Sequence, residues 1–180
     1  MNGSILIAGI GNIFHRDDAF GVYTVSRLSR EPLPENVRAV DFGIRGIDLV
    51  FALLDGYEAI IFVDALPRGG APGALYTLEP DLDAIVPASE NGVLENAHGL
   101  DPLKVLALAK GLGAPLGRVF VVGCEPAVIE DGTGAIGLTP EVEPTVEPAI
   151  EMIRSLLTKL NNPGEQLCTH TGNAVIPRTK

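Results

Sequence analysis

Three short, uninterrupted apolar runs constrain the fold more than any other feature: Ile5 to Ala8, Ala59 to Val63 and Val119 to Val122. Consecutive apolar residues suit strands buried on both faces, as in a parallel sheet. Val37 to Phe42 reads as a further strand. Ala74 to Leu78 reads as a short one, able to run antiparallel because no helix separates it from the strand before it. Helical spacings lie between the runs. They are carried by Phe20, Val22, Val25 and Leu28, by Ile47 to Leu54, by Leu103 to Leu112, and by Val142 to Leu157. Strand and helix in alternation predict an α/β fold, with a mostly parallel sheet covered on both faces.

The first strand runs into a compact motif, Ile5 to Leu28. Gly9, Gly11 and Asn12 predict a tight turn, where glycine tolerates positive φ. Asp17 and Asp18 then stand before the first turn of a helix. The simplest role for them there is capping, because free N–H groups and the positive dipole end favour a negative charge. One cap accounts for one aspartate and leaves the second unexplained. The same place is the crevice where open α/β sheets bind ligands. Gly9-Ile10-Gly11 looks like the start of a dinucleotide fingerprint, but Phe14 holds the place of the third glycine. Two aspartates also stand where a pyrophosphate needs positive potential. A P-loop is excluded, since no G-K-[ST] follows.

Acidic residues recur at or just beyond the predicted strand ends: Asp17 and Asp18, Asp41, Asp64 and Glu125. In parallel strands all of them face one rim. Asp64, ending a central strand, is expected to be exposed in the crevice. His98 follows an irregular acidic segment, Pro80 to Ala97, of the kind that often forms a functional loop. Carboxylates and an imidazole at one rim suit a borderline divalent metal such as nickel or zinc. Each residue alone is better explained by local structure, the aspartates as turn residues and His98 as a helix-start residue; the case for a site rests on their coincidence.

Charge and cysteine content narrow the classes. A net charge of −10 disfavours nucleic acid and anionic membrane surfaces as partners. Cys124 and Cys168 are far apart and in no CxxC pattern, so neither a disulfide framework nor a cysteine zinc site is indicated. No basic leader or long apolar segment is seen, which gives the cytoplasm as the expected compartment. Residues 1–160 are expected to form one α/β domain and residues 161–180 a polar, mobile tail that includes His170.

The run G-I-G-N-x-F-x-x-D-D-A-x-G-V, Gly9 to Val22, resembles the amino-terminal motif of the hydrogenase maturation endopeptidases. These enzymes cut a carboxy-terminal peptide from the large subunit of [NiFe] hydrogenases once nickel is in place. The resemblance implies a three-layer α/β/α sandwich of the phosphorylase/hydrolase type. It implies metal recognition by Asp18, Asp64 and His98, the metal being nickel already held by the substrate. Asp17 stands beside the first of these. The family's aspartate-glycine turn after the second strand corresponds to Asp41 through Gly46. Its commoner form has two glycines after the aspartate, where this chain has Phe42 and Gly43. Asp41, Asp18, Asp64 and His98 are thus the expected catalytic set.

Two other classes remain at this stage. One is a non-enzymatic module that senses a nucleotide or metabolite through the Gly9 to Asn12 turn. The other is a stand-alone metallopeptidase. A thiol peptidase using Cys124 with His98 is disfavoured, because the cysteine follows a buried strand in acidic surroundings. A serine hydrolase is disfavoured too, for want of a G-x-S-x-G elbow.

Overall fold

The computed structural model describes residues 3–88, 102–129, 132 and 134–162. His98, most of the irregular segment after Ala88, and residues 163–180 with Cys168 and His170 lie outside the described residues. Five strands form one sheet: β1 (Ile5–Ile10), β2 (Val37–Gly43), β3 (Tyr57–Ala65), β4 (Leu75–Leu78) and β5 (Leu116–Cys124). Their order is β2-β1-β3-β5-β4. The first four in this order are parallel, and β4 closes the edge antiparallel to β5. The short strand expected near Ala74 is therefore present and antiparallel.

Among the described residues four α-helices cover the sheet: α1 (Phe20–Leu28), α2 (Gly46–Leu53), α3 (Pro102–Gly111) and α4 (Val146–Asn161). Alternate strand residues serve opposite layers. Ile5, Ile7, Ile61, Val63 and Val122 pack with Phe20, Val25 and Leu28 of α1 and with Ile150 and Ile153 of α4. Leu6, Ala8, Ile60, Phe62 and Val121 pack with Leu49, Val50 and Leu53 of α2 and with Val105 and Leu106 of α3. This is the three-layer sandwich expected from the sequence.

Several boundaries move, each for a physical reason. Gly9 is still in β1, paired with Asp41 on one side and Val63 on the other. The turn falls to Gly11, at φ +132°. The last helix starts at Val146 rather than Val142, after a 3₁₀ turn over Glu143–Thr145. Pro148 explains the delay: it lacks an N–H, so it is tolerated in a first turn but would break a helix begun earlier. Asp64 is not at an exposed strand end. The β3–β5 ladder continues through Asp64↔Gly123 and Ala65↔Cys124, and Asp64 is only 7% exposed.

Two glycines of the first motif set how closely α1 meets the sheet. A Cβ on Gly21 would lie 2.0 Å from the Val63 carbonyl oxygen and 2.4 Å from that of Ile10. A Cβ on Gly9 would meet the Gly21 carbonyl oxygen at 2.6 Å. Gly21, not a residue at the Phe14 position, does the close helix–strand packing that a dinucleotide fold assigns to its third glycine.

Candidate active site at the carboxyl rim

The connection after β1 runs to α1 on one face of the sheet. The chain after β3 returns through α3 on the other. Adjacent strands whose connections part in this way open a crevice between their carboxyl ends. Asp18 and Asp64 belong to its two sides. Asp41 lies at the end of β2, level with Gly9 and Val63 in the ladder. With strands about 4.8 Å apart, Asp41 and Asp64 stand roughly 10 Å apart across β1.

The paired aspartates divide their work, and neither caps α1: the N-cap position is Ala19, with no side-chain cap bond. Asp17 is wholly buried. Its Oδ2 accepts from the Ala127 and Val128 amides at 2.9 and 3.0 Å and from the Thr139 hydroxyl at 2.9 Å. Its Oδ1 accepts from the Thr139 amide at 2.7 Å. Four acceptances fill a carboxylate's capacity. Asp17 is thus the anion that ties the first loop to the chain after β5 and to the approach to α4. Asp18 is half-buried, and its Oδ2 accepts from the Asn12 amide at 2.7 Å. Gly11 fits against it: a Cβ there would meet the Asp18 carbonyl oxygen at 1.7 Å. The Asn12 amide, which a phosphate would need, is therefore already spent on a carboxylate.

Asp41 is the exposed-chemistry counterpart at β2. Its Oδ1 is buried without a hydrogen-bond partner among the described residues. A buried acceptor left unmet is costly, so such an atom marks a place where a ligand or solvent belongs. The departure at Phe42 has a structural meaning. The β1–β2 register shifts between Gly9↔Asp41 and Ile10↔Gly43, which leaves Phe42 as the extra residue of a bulge. Its ring is buried in the α2–α3 layer. Gly43 takes the positive φ of +53°. Bulges of this kind re-aim side chains beside active sites.

Glu125 turns out to be architectural. It is 5% exposed and collects the Arg68 amide at 2.9 Å, the Gly69 amide at 3.0 Å and the Tyr76 hydroxyl at 2.9 Å. Burial works to raise its carboxyl. Hydrogen bonds from the Arg68 amide, the Tyr76 hydroxyl and the Gly70 and Gly69 amides outweigh burial and hold it below the ordinary carboxylate range. Apart from the Tyr76 hydroxyl on β4, those donors are backbone groups of the loop after β3, which no sequence signature announces. Cys124 is fully buried, with its Sγ 3.4 Å from the Thr145 hydroxyl. Burial first, and then the Asp17 and Glu125 charges, push its thiol up despite the Thr145 contact, so it stays protonated. His15 is half-buried in the first loop. Among the described residues no cluster of three or more His, Cys, Asp or Glu is set to hold a metal ion.

A mostly parallel α/β sheet with carboxylates flanking its switch-point crevice, and with the Asn12 amide already bonded to Asp18, is poorly suited to a dinucleotide's pyrophosphate. The chain belongs to the hydrogenase maturation protease family, whose model matches residues 22–156, and it is therefore a peptidase. The hydrogenase expression/formation protein HupD of Rhodobacter capsulatus is 36% identical over 154 residues, covering 84% of this chain and 70% of the relative. The hydrogenase 2 maturation protease of Escherichia coli is 33% identical over 154 residues, covering 85% of this chain and 90% of that protein. The solved structure of the hydrogenase maturating endopeptidase HybD from E. coli superposes with a TM-score of 0.67 at 29% identity, over 87% of this chain and 93% of that one. Among the described residues no helix is long and apolar enough to cross a membrane.

Proposed function

We propose that this peptidase removes the carboxy-terminal extension of a [NiFe] hydrogenase large subunit after nickel insertion, and that it does so in the cytoplasm. Its partner in this reading is the large-subunit precursor. Nickel arrives as part of the substrate and is recognised by Asp18, Asp64 and His98. The ion orients the enzyme beside the scissile bond and can polarise its carbonyl or activate water. Asp41, with its unmet Oδ1, is the acceptor available for a proton from that water.

The observation that carries this reading is the division of the acidic pair. Asp17 is saturated by the chain's own donors, whereas Asp18, at the crevice, accepts a single bond among the described residues, from Asn12, and keeps further acceptor capacity. That difference supports Asp18 rather than its neighbour as the first ligand. The buried, protonated Cys124 supports the same reading by leaving no activated thiol among the described residues. The test is processing of the large subunit prepared with and without nickel. Cleavage of the nickel-loaded form alone is the expected result; equal cleavage of both forms would sink the metal-directed mechanism.

A further inference from the structure

A second concavity lies outside the crevice, along the outer face of α1. It is a groove of about 900 Å³. One wall is a stripe down α1, from Val22 through Ser26 to Arg30, and the facing wall includes Leu138, Glu143 and Val146. Its floor is apolar, since Val22 and Val146 are buried. Ile13 and Tyr23 add apolar surface that is 39% exposed in each case. Ile13 belongs to the loop that carries Asp18, so one end of the groove abuts the candidate site. The other end lies toward Arg30, about 12 Å further along a helix rising 1.5 Å per residue. An extended peptide covers that distance in about four residues.

The charges are asymmetric. Arg27 is paired with Glu147 at 3.1 Å, and Glu31 is paired with Arg154. Arg30 is exposed and has no ion-pair partner among the described residues. Glu143 on the facing wall disfavours an acidic side chain midway. A negative charge is therefore favoured only at the Arg30 end. Every carboxy-terminal extension ends in one negative charge, its terminal carboxylate.

We propose that this groove docks the end of the substrate's carboxy-terminal extension, with apolar side chains over Val22 and Val146 and the chain-terminal carboxylate at Arg30. The inference rests on the proposed processing reaction and adds where the leaving segment is held. The probe is a labelled synthetic peptide spanning the extension, in free-acid and amidated forms, titrated against the full chain by fluorescence anisotropy. Arg30→Glu should weaken binding of the free acid by about tenfold, as reversal of a contacting charge does. Amidation should weaken binding to the wild type but not further to Arg30→Glu, since coupled changes do not add. Tyr23→Ser, at a second exposed position, should raise KM for processing while leaving kcat in place. Both substituted residues are exposed, and unchanged melting temperatures would confirm that the variants fold. Equal affinity of the wild type for acid and amide, or unchanged affinity in both variants, would overturn the groove while leaving the processing reaction intact. So would a photo-crosslinker at position 26 that captures residues 163–180 of the same chain instead of the peptide. Failure of the wild type to cleave any large subunit would remove the processing reaction, and the groove's occupant with it.

Discussion

Two halves of the carboxyl rim carry acids of the same kind in opposite states. At the β5 end, Asp17 and Glu125 are almost wholly buried and filled by donors from the chain itself. At the β1–β2 end, among the described residues, Asp18 accepts one bond and Asp41 has a buried oxygen with none. A saturated carboxylate organises loops, because backbone N–H groups have no cheaper partner once buried. An unsaturated one keeps its chemistry for something outside the chain. Acidity and position at the rim do not separate the two kinds; the hydrogen-bond count does.

The largest expected effect breaks the saturated half. Asp17→Ala strands the buried amide of Thr139 and the part-buried amides of Ala127 and Val128 and should cost about 4 kcal/mol, at 1–3 kcal/mol for each unmet group. Calorimetry should show the melting temperature falling by roughly 8–16 °C for a domain of this size. A fall of a degree or two would mean that Asp17 is not a lock. The unsaturated half should respond the other way. Asp18→Ala, Asp64→Ala and His98→Ala should each lower kcat/KM for the nickel-loaded substrate by about a hundredfold or more, in line with removal of a charge-stabilising group. Asp41→Asn should reduce cleavage while shifting stability by less than about 1 kcal/mol, since no bond to its Oδ1 is lost. Retained activity in Asp18→Ala with loss in a well-folded Asp17 variant would invert the comparison.

Glu125 sharpens the contrast through pH. Its folded-state pKa lies below the ordinary value, so its contribution is present above the unfolded pKa and is lost as pH falls through the folded one. Chemical denaturation from pH 6 downward should show stability declining below about pH 4.5, the usual carboxylate range. Glu125→Gln should flatten part of that decline, and Tyr76→Phe a smaller part. Identical acid profiles for all three proteins would remove Glu125 from the architectural half. The smallest effect belongs to the thiol. Cys124→Ala should cost about 1 kcal/mol from the buried space it leaves, and should process the nickel-loaded substrate at the wild-type rate.

The layered fold was legible because its strands advertise themselves. β1, β3 and β5 are apolar on both faces, and the helices between them carry 3.6-residue periodicity. The acids at the strand ends were legible as a group, and the first motif pointed to the family before any coordinates. The separation of those acids into two kinds was hidden. Three of the four donors to Asp17 are amides more than a hundred residues away, and backbone N–H groups leave no mark on a sequence. The apolar run ends at Val63 and so predicts an exposed Asp64, whereas the ladder with β5 carries the strand on to Ala65. The role of Gly21 was readable in principle. A lone glycine inside an apolar helical stripe signals close backbone approach, and here it meets the ends of β1 and β3.

The lock at Asp17 also has a bearing on when the enzyme becomes competent. Its side-chain bonds span separations of 110 to 122 residues. A chain emerging from the ribosome can pair β1 with β2 and β3 long before Thr139 exists, yet Asp17 then has none of its native donors. Loop closure over such a separation is slow compared with local pairing. The segment that presents Asp18 therefore takes its final shape in one of the last steps of folding. Pulse-labelled hydrogen exchange would record this as late, simultaneous protection of the Ala127, Val128 and Thr139 amides. On the proposed role of Asp18, a peptidase assembled in that order gains its site only late in its own folding.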